Sequence, residues 1–135
     1  FGTGATLDAY EEGTWTATLT PASGTINMGV NVGQYIRIGR QVTISGLFDV
    51  ASVITPTGDL TFSLPYAVGS GNSAFSAASI WGNTFTTGAV TSLTGMAYPS
   101  RSELYIYNFY QGSVYALSSF VQTGTTIIIN CTYFI

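Results

Sequence analysis

The 135-residue sequence is poor in charge and lacks two kinds of ionisable side chain. It contains no His and no Lys, and its basic residues are Arg37, Arg40 and Arg101, against six acidic residues. Charged residues make up 7% of the chain, whereas soluble domains carry roughly 25%. Binding to nucleic acid needs a basic patch that displaces counterions from phosphates, so three arginines exclude this class of partner.

The same absences narrow the chemistry that the chain can perform. With no His and a single Cys, Cys131, the composition excludes imidazole bases, Cys/His zinc sites and intrachain disulfides. Without His or Lys, no ordinary base is present to activate a Ser or Thr nucleophile. No apolar run approaches the roughly 20 residues that span a bilayer, so no membrane insertion is expected. We therefore expect a protein that is not an enzyme, with no catalytic residues, no metal and no cofactor.

The acidic residues near the start of the chain do not form a catalytic pair. Glu11 and Glu12 are adjacent, and neighbouring side chains of an extended segment point to opposite faces, which excludes the paired carboxylates of a glycosidase. A calcium site formed by Asp8, Glu11 and Glu12 stays open, although no spaced loop of oxygen ligands follows them.

Hydrophobic periodicity is two in short runs that Gly, Pro, Ser and Asn separate, and this pattern is typical of an all-β chain. The runs predict eight to ten strands, which suits a jelly-roll-like antiparallel β-sandwich better than a five-stranded barrel. The predicted strands are 14–20, 34–38, 41–50, 60–64, 74–81, 83–87, 90–97, 102–110, 113–121 and 125–135.

The chain is expected to form one domain. Residues 1–13 are more polar and read as a leading segment or linker with at most one helical turn at 6–12, and residues 14–135 read as a single β-sandwich domain. Gly46 indicates a bulge, and 57–59 has the composition of a turn. Alternation predicts which side chains face the core: Trp15, Ala17, Leu19, Val42, Ile44, Phe48, Val50, Leu60, Phe62 and Leu64.

Two predicted strands are apolar on both faces. In 125–135 the inner row is Ile127, Ile129, Cys131, Tyr133 and Ile135, while the opposite row contains Ile128 and Phe134. In 102–110, Leu104 and Ile106 oppose Tyr105, Tyr107 and Phe109. A second apolar face indicates a subunit interface, a ligand platform or a covering loop, and the last interpretation stays open. The candidates for a subunit interface are Tyr105, Tyr107, Phe109, Ile128 and Phe134.

Aromatic residues make up 14% of the chain, with nine Tyr, eight Phe and two Trp. Rings with a polar edge stack on sugars and hydrogen-bond to their hydroxyls, so an uncharged, Tyr-rich surface favours recognition of a neutral glycan. Trp81, Tyr98 and Tyr110 are the candidates for ligand binding. Tyr105 and Tyr107 fit a ligand platform as well, but their position within a strand favours a subunit contact.

Several collinear motifs carry a resemblance to a known family. The segment 7–19, LDAYEEGTWTATL, resembles the LDxYEEGTWTPTL opening of C-terminal domains in bacteriophage tail fibres, tailspikes and related virion appendages. Residues 33–46 are similar to that family's GxYxxIGxxVxxxG segment, 64–66 to its LPF, and 129–135 to its final strand. Ala17 stands where the family has Pro, and residues 66–123 match no motif.

The resemblance implies a trimeric, jelly-roll-like domain at the tip of a virion appendage. It further implies that the domain binds the bacterial surface, and it supplies no ligand residues. We therefore predict a non-catalytic receptor-binding head of a phage tail fibre or tailspike, located on the virion and acting outside the host cell. The expected partners are two further copies of the chain, the upstream part of the same fibre, and a bacterial cell-surface glycan or protein.

Two alternative functions remain. The chain can be a purely structural trimerisation or capsid-decoration domain, or, less favourably, a polysaccharide depolymerase. The first differs from an adhesion domain in having no ligand, and the second in needing a catalytic acid and base.

Overall fold

A computed structural model describes residues 9–86, 90 and 92–135, and these residues form nine β-strands. The strands are β1 (Tyr10–Thr16), β2 (Leu19–Val30), β3 (Val32–Ile38), β4 (Gln41–Ser63), β5 (Ser76–Asn83), β6 (Leu93–Ala97), β7 (Glu103–Tyr110), β8 (Ser113–Ala116) and β9 (Thr126–Phe134). Two short 3-10 helices cover Asn72–Ala74 and Ser118–Phe120. The all-β prediction is confirmed. Within the described part of the chain, no helix is long and apolar enough to cross a membrane.

The strands pair in one antiparallel sheet that closes on itself through β4. The order is β1-β3-β4-β9-β5-β6-β7-β8, with β2 added on β4. The first part of β4 pairs with β9 from Gln41 to Asp49, while its last residues, Leu60 to Ser63, pair with β7. Strands β4, β9, β5, β6 and β7 therefore form a ring, and the arrangement is barrel-like or sandwich-like, in agreement with the predicted class.

Alternation places the apolar rows in the interior as predicted. In β9, Ile127, Ile129, Cys131 and Tyr133 are buried, whereas Ile128 and Phe134 on the alternate row are exposed. The predicted inner residues of β4 are all buried as well: Val42, Ile44, Phe48, Val50, Leu60 and Phe62. The register of β4 against β9 is regular from end to end, so each inner residue meets an inner residue of the neighbouring strand.

Several predicted boundaries are wrong. Residues 57–59 do not form a turn, because β4 continues through them while its pairing with β2 shifts register. Thr55 and Gly58 have positive φ values of 37° and 81°, so the residues that suggested a turn produce bulges within one long strand. Gly46 is no bulge, since it pairs with Ile129 in regular register; a Cβ there would come within 2.7 Å of the Phe48 ring, which is why the position is small.

The remaining differences lie at strand ends. Strand β1 begins at Tyr10, so residues 10–12 are extended and not helical, and the segment predicted to lead into the domain contributes to the sheet. Residues 1–8, which held the rest of the predicted turn, lie outside the described residues, as does residue 87. The predicted strand 83–87 is wrong beyond its first residue, because β5 ends at Asn83 and residues 84–86 are not part of a strand. The predicted strands 14–20 and 113–121 are each interrupted, the first between β1 and β2 and the second by the 3-10 helix.

An aromatic cluster fills the interior where β1 and β3 join β4. Trp15 lies 6.1 Å from both Phe48 and Phe62 between ring centroids, and the two Phe rings are 4.6 Å apart. The indole Nε1 donates a hydrogen bond to the Ser63 carbonyl at 3.1 Å. Gly33 pairs with Trp15 across the strands, and a Cβ on it would come within 2.4 Å of the indole ring. The absence of a side chain at Gly33 is therefore what allows the ring to lie flat against β3.

Replacing Gly33 with Ala tests this packing. Because the indole is held by two Phe rings and a hydrogen bond, it has no free space to move into, and overpacking of this kind costs roughly 1–3 kcal/mol. Urea denaturation measures the free energy of unfolding. Gly29→Ala is the matched control, since a Cβ there meets Ala51 at an ordinary 3.6 Å. Equal stability of the two variants would contradict the packing argument.

Candidate functional site

The outward side of strands β1, β3, β4, β9 and β5, named here the outer sheet face, carries a row of exposed apolar side chains. Ile128 on β9 pairs with Leu47 on β4 and with Trp81 on β5. The exposed fractions are 42% for Ile128, 47% for Leu47 and 54% for Trp81. These three residues form a continuous apolar strip across three strands, because pairing in register brings their side chains side by side.

A second apolar row crosses the same face further along the strands. Phe134, Ile38 and Tyr10 are all exposed, and the pairing of β9, β4, β3 and β1 places them in one line with Gln41 between Phe134 and Ile38. Two rows lie between the apolar rows. One is polar throughout and consists of Ser79, Asn130, Ser45, Gln34 and Thr14, and the other consists of Thr132, Thr43, the exposed Ile36 and Glu12. The outer sheet face therefore combines apolar strips with hydrogen-bonding groups that are mostly uncharged, which suits contact with another protein surface.

An aromatic pocket lies on a different part of the surface, outside β7. Tyr105 and Tyr107 point outward from β7 and stack at 6.1 Å with an angle of 22° between the rings. Tyr98 packs edge-on against Tyr105 at 5.2 Å, and Phe75 packs against Tyr98 at 5.7 Å. The cavity has a volume of about 540 Å³ and is lined by Gly71, Asn72, Phe75, Tyr98, Pro99, Arg101, Tyr105 and Tyr107. This volume lies in the range of small-molecule sites.

The loop that carries Tyr98 and Arg101 is held in one conformation by backbone hydrogen bonds. The Arg101 amide donates to the Tyr98 carbonyl at 3.3 Å, with Pro99 and Ser100 at the two central positions and Ser100 at a φ of 61°. This is the geometry of a type II turn, in which Pro is preferred first and a positive φ is needed second. The Val68 amide donates to the Arg101 carbonyl at 2.7 Å, and the Ser100 amide donates to the carbonyls of Val68 at 3.2 Å and Gly69 at 3.0 Å. Arg101 is therefore fixed at its backbone.

Polar groups converge in the aromatic pocket. The hydroxyls of Tyr98 and Tyr107 lie 3.2 Å apart and share a hydrogen bond. Burial, followed by this hydrogen bond, raises the pKa of Tyr107 above its ordinary value, so its hydroxyl remains a donor at neutral pH. The pocket thus offers ring faces, hydroxyls, the Asn72 amide and the Arg101 guanidinium, and none of its lining residues is acidic.

The structure places the predicted ligand residues in three different environments. Tyr98 lies in the aromatic pocket. Trp81 lies on the outer sheet face and also lines a second cavity of about 510 Å³ with Asn83, Phe85 and Leu93. Tyr110 is exposed at the end of β7 and lines neither cavity. The three residues therefore do not form one site.

The predicted interface residues also divide. Ile128 and Phe134 lie on the outer sheet face, whereas Tyr105 and Tyr107 form the wall of the aromatic pocket together with Tyr98. Phe109, two residues beyond Tyr107, is exposed on the same outward row of β7. The assignment of these five residues to a subunit interface stays a prediction. The structure adds that one pocket contains both Tyr98, a predicted ligand residue, and Tyr105 and Tyr107, two predicted interface residues.

Sequence reasoning missed five of the eight pocket residues: Gly71, Asn72, Phe75, Pro99 and Arg101. Phe75 follows a Gly-rich segment that reads as a loop, and no periodicity connects it with Tyr98. The sequence does offer a reason to consider Arg101 as a site residue, because it is the one basic residue outside 37–40 and follows Pro99, which is typical of a turn.

The acidic residues at the start of the sheet serve contacts within the chain. The Glu11 carboxylate accepts hydrogen bonds from the hydroxyls of Tyr35 at 2.6 Å and Tyr66 at 2.8 Å, and the Arg37 guanidinium lies 5.3 Å from the Tyr66 ring centroid. Glu12 accepts a hydrogen bond from Tyr10 at 2.7 Å on the opposite side of β1. Asp8 lies outside the described residues, and those residues contain no group of three or more potential metal ligands.

Comparison with solved structures finds a similar fold in a phage protein. The chain superimposes on part of the crystal structure of the Dettilon tailspike protein with a TM-score of 0.82 and 22% sequence identity. The match covers 92% of this chain and 23% of the tailspike chain, so the protein corresponds to less than a quarter of that length. No protein-family model matches the chain, and no curated protein matches it significantly. The comparison establishes that this chain has the fold of a tailspike domain.

The contacts of Glu11 make stability depend on pH. Hydrogen bonds from Tyr35 and then Tyr66 hold the pKa of the Glu11 carboxyl below its ordinary value of 4.5. A lowered pKa in the folded state stabilises the protein above 4.5, and this contribution is lost as the pH falls through the folded-state pKa. We expect Glu11→Gln to lower the free energy of unfolding at neutral pH and to reduce its further loss in acid.

Urea denaturation at about pH 7 and at a series of progressively lower pH values measures the difference. Glu12→Gln is the control, because it removes the same charge from the adjacent residue, whose carboxylate accepts a hydrogen bond, among the described residues, from Tyr10 alone. An unchanged acid dependence in Glu11→Gln would contradict the assignment.

Proposed function

We propose that this chain is a receptor-binding head domain of a phage tail fibre or tailspike, which attaches to the bacterial surface without catalysis. The observation that carries the proposal is the aromatic pocket on a fold shared with a tailspike domain. The collinear motifs at 7–19, 33–46 and 64–66 support the same assignment from the sequence. The domain acts on the outside of the host cell as part of the virion.

The chemistry of the pocket supports binding over hydrolysis. Glycosidases need two carboxyl groups about 5–9.5 Å apart on either side of the scissile bond, and the lining residues of the aromatic pocket include none. Glu11 and Glu12 contact tyrosines on opposite sides of β1. The absence of His and Lys from the sequence leaves no alternative base. A polysaccharide depolymerase is therefore the least favoured function.

The outer sheet face supports assembly of the domain into a homotrimer. A chain with 7% charged residues that exposes Ile128, Leu47 and Trp81 side by side would aggregate unless a partner covers them. Glu12 and Asp49 are the carboxylates on the outward side of these strands, so association buries little charge. Closed symmetry lets each copy cover the next one.

The second candidate is a purely structural virion domain that trimerises and binds no ligand. The two apolar rows of the outer sheet face favour it, because they suffice to explain assembly. The aromatic pocket favours the adhesion function, because assembly needs no preformed cavity with unpaired polar groups.

Attachment to bacteria separates these functions. We expect the 135-residue chain to bind cells of at least one strain in a panel, and Tyr98→Ala to weaken binding by roughly fivefold or more, the effect of losing an aromatic contact worth about 1 kcal/mol or more. Tyr115→Ala, an exposed tyrosine on β8 outside the pocket, is the control and should bind normally.

Two further measurements on the same cells define the mode of binding. Attachment should change little between about 0.05 and 0.5 M salt, since few charges contribute. No reducing ends should appear, since no hydrolysis is expected. A wild-type chain that binds no strain would favour the structural domain, and release of sugar would favour the depolymerase.

Light scattering on a sizing column tests the trimer. We expect a mass three times the 14.2 kDa of the chain, and we expect Ile128→Asp to dissociate or aggregate the protein, since burying such a side chain contributes roughly 1.5–3 kcal/mol in each copy. Ser113→Asp on β8 adds the same charge away from the outer sheet face and should leave the mass unchanged. A soluble, stable monomer of the unmodified chain would defeat the proposal of a trimer.

A further inference from the structure

Arg101 differs from the other two arginines in that its side chain has no partner among the residues that the structure describes. The Arg37 Nε donates to the Gly39 carbonyl at 2.9 Å, and its guanidinium lies over the Tyr66 ring. The Arg40 Nε donates to the Ile135 carbonyl at 2.7 Å. Arg101 is exposed, and across residues 9–86, 90 and 92–135 its side chain makes no hydrogen bond or ion pair. Its five N–H donors are therefore free for a ligand.

The position of Arg101 relates this free charge to the aromatic pocket. Arg101 lines the pocket and precedes β7 by two residues, and the stacked rings of Tyr105 and Tyr107 follow on that strand. The type II turn and the bonds to Val68 and Gly69 hold its backbone in place before any ligand arrives. An arginine with free donors beside a platform of aromatic rings suits a ring-shaped ligand that carries one negative group.

Arg101 is the one charged residue in the lining of the aromatic pocket. Two carboxylates belong to neighbouring parts of the chain but do not line the pocket: Glu103 lies on the outward row of β7 between Arg101 and Tyr105 in sequence, and Asp59 precedes Leu60, which pairs with Ile106 beside Tyr107. A negative group on a ligand therefore finds its positive partner at Arg101.

We propose that the aromatic pocket binds a saccharide unit carrying a carboxylate or phosphate, with the sugar ring on the tyrosine platform and the anionic group on Arg101. This inference rests on the proposed adhesion function and replaces the neutral glycan expected from composition with an acidic one. A single short contact between opposite charges is compatible with weak salt dependence, because screening acts mainly on charges that are far apart in water. Arg suits this role because its planar fork matches the two oxygens of a carboxylate or phosphate.

Matched sugars test the inference on the 135-residue chain. NMR signals of the tyrosine rings are followed during titration with glucuronate against glucose, galacturonate against galactose, and glucose 6-phosphate against glucose. We expect the anionic member of at least one pair to shift the rings of Tyr98, Tyr105 and Tyr107 with a Kd at least tenfold below that of its neutral partner. The uronates and the phosphate distinguish the two sources of negative charge.

Variants of Arg101 show whether the preference depends on this side chain. Arg101→Gln should remove it, and Arg101→Lys should retain part of it, since Lys keeps the charge without the fork. Arg37→Gln, which removes an equal charge outside the pocket, should preserve it. Equal affinity within every pair, no shift with any anionic sugar, or a preference that survives in Arg101→Gln would overturn the inference.

Attachment to cells, measured in parallel, separates this inference from the proposed function. Cell attachment without any preference for the charged sugars overturns the acidic ligand and leaves the adhesion function in place. A preference for the charged sugars without attachment to any strain supports the assignment of the pocket and contradicts adhesion.

Discussion

The structure depends on the pairing of one long strand with different partners at its two ends. Strand β4 runs from Gln41 to Ser63, and it pairs with β9 at its start and with β7 at its end. Because β9, β5, β6 and β7 connect these two partners, the pairing closes the sheet into a ring and creates an enclosed interior. Bulges in the pairing with β2 near Thr55 and Gly58 allow β4 to bend between the part that pairs with β9 and the part that pairs with β7.

Closure of the sheet determines what is left on the outside. Every strand of the ring sends alternate residues inward, so the interior takes one row from each and the intervening row must face outward. In a chain with 7% charged residues, those outward rows contain Ile, Leu, Trp, Phe and Tyr among uncharged polar residues. The outer sheet face and the aromatic pocket are both consequences of this composition, but they differ in shape. The outer sheet face is an extended surface across paired strands. The aromatic pocket is a cavity between the rings of β7 and the residues of two loops.

Several of the few charged side chains make contacts within the chain. Glu11 holds Tyr35 and Tyr66, Arg37 packs on Tyr66, and Arg40 binds the carbonyl of Ile135, so each connects parts of the chain that are distant in sequence. These contacts also explain the opening motif, in which Glu11, Gly13 and Trp15 are alternate residues of β1. A Cβ on Gly13 would come within 2.9 Å of the Tyr35 hydroxyl, so the motif keeps a small residue where that ring crosses β1.

The sequence alone determined the fold class and the inner rows, because a period of two identifies the buried side of each strand. The outward position of Ile128 and Phe134 followed from the same alternation. The continuity of β4 through 57–59 follows from the pairing of the strands and not from local sequence, since propensity cannot distinguish a turn from a bulge that pairing stabilises. The tertiary structure alone brought Phe75, Tyr98 and Arg101 to the rings of β7. These contacts depend on strand register and on a loop whose conformation is held by hydrogen bonds to the carbonyls of Val68 and Gly69, about 30 residues earlier in the chain. Neither can be predicted from the residues next to Arg101 in sequence.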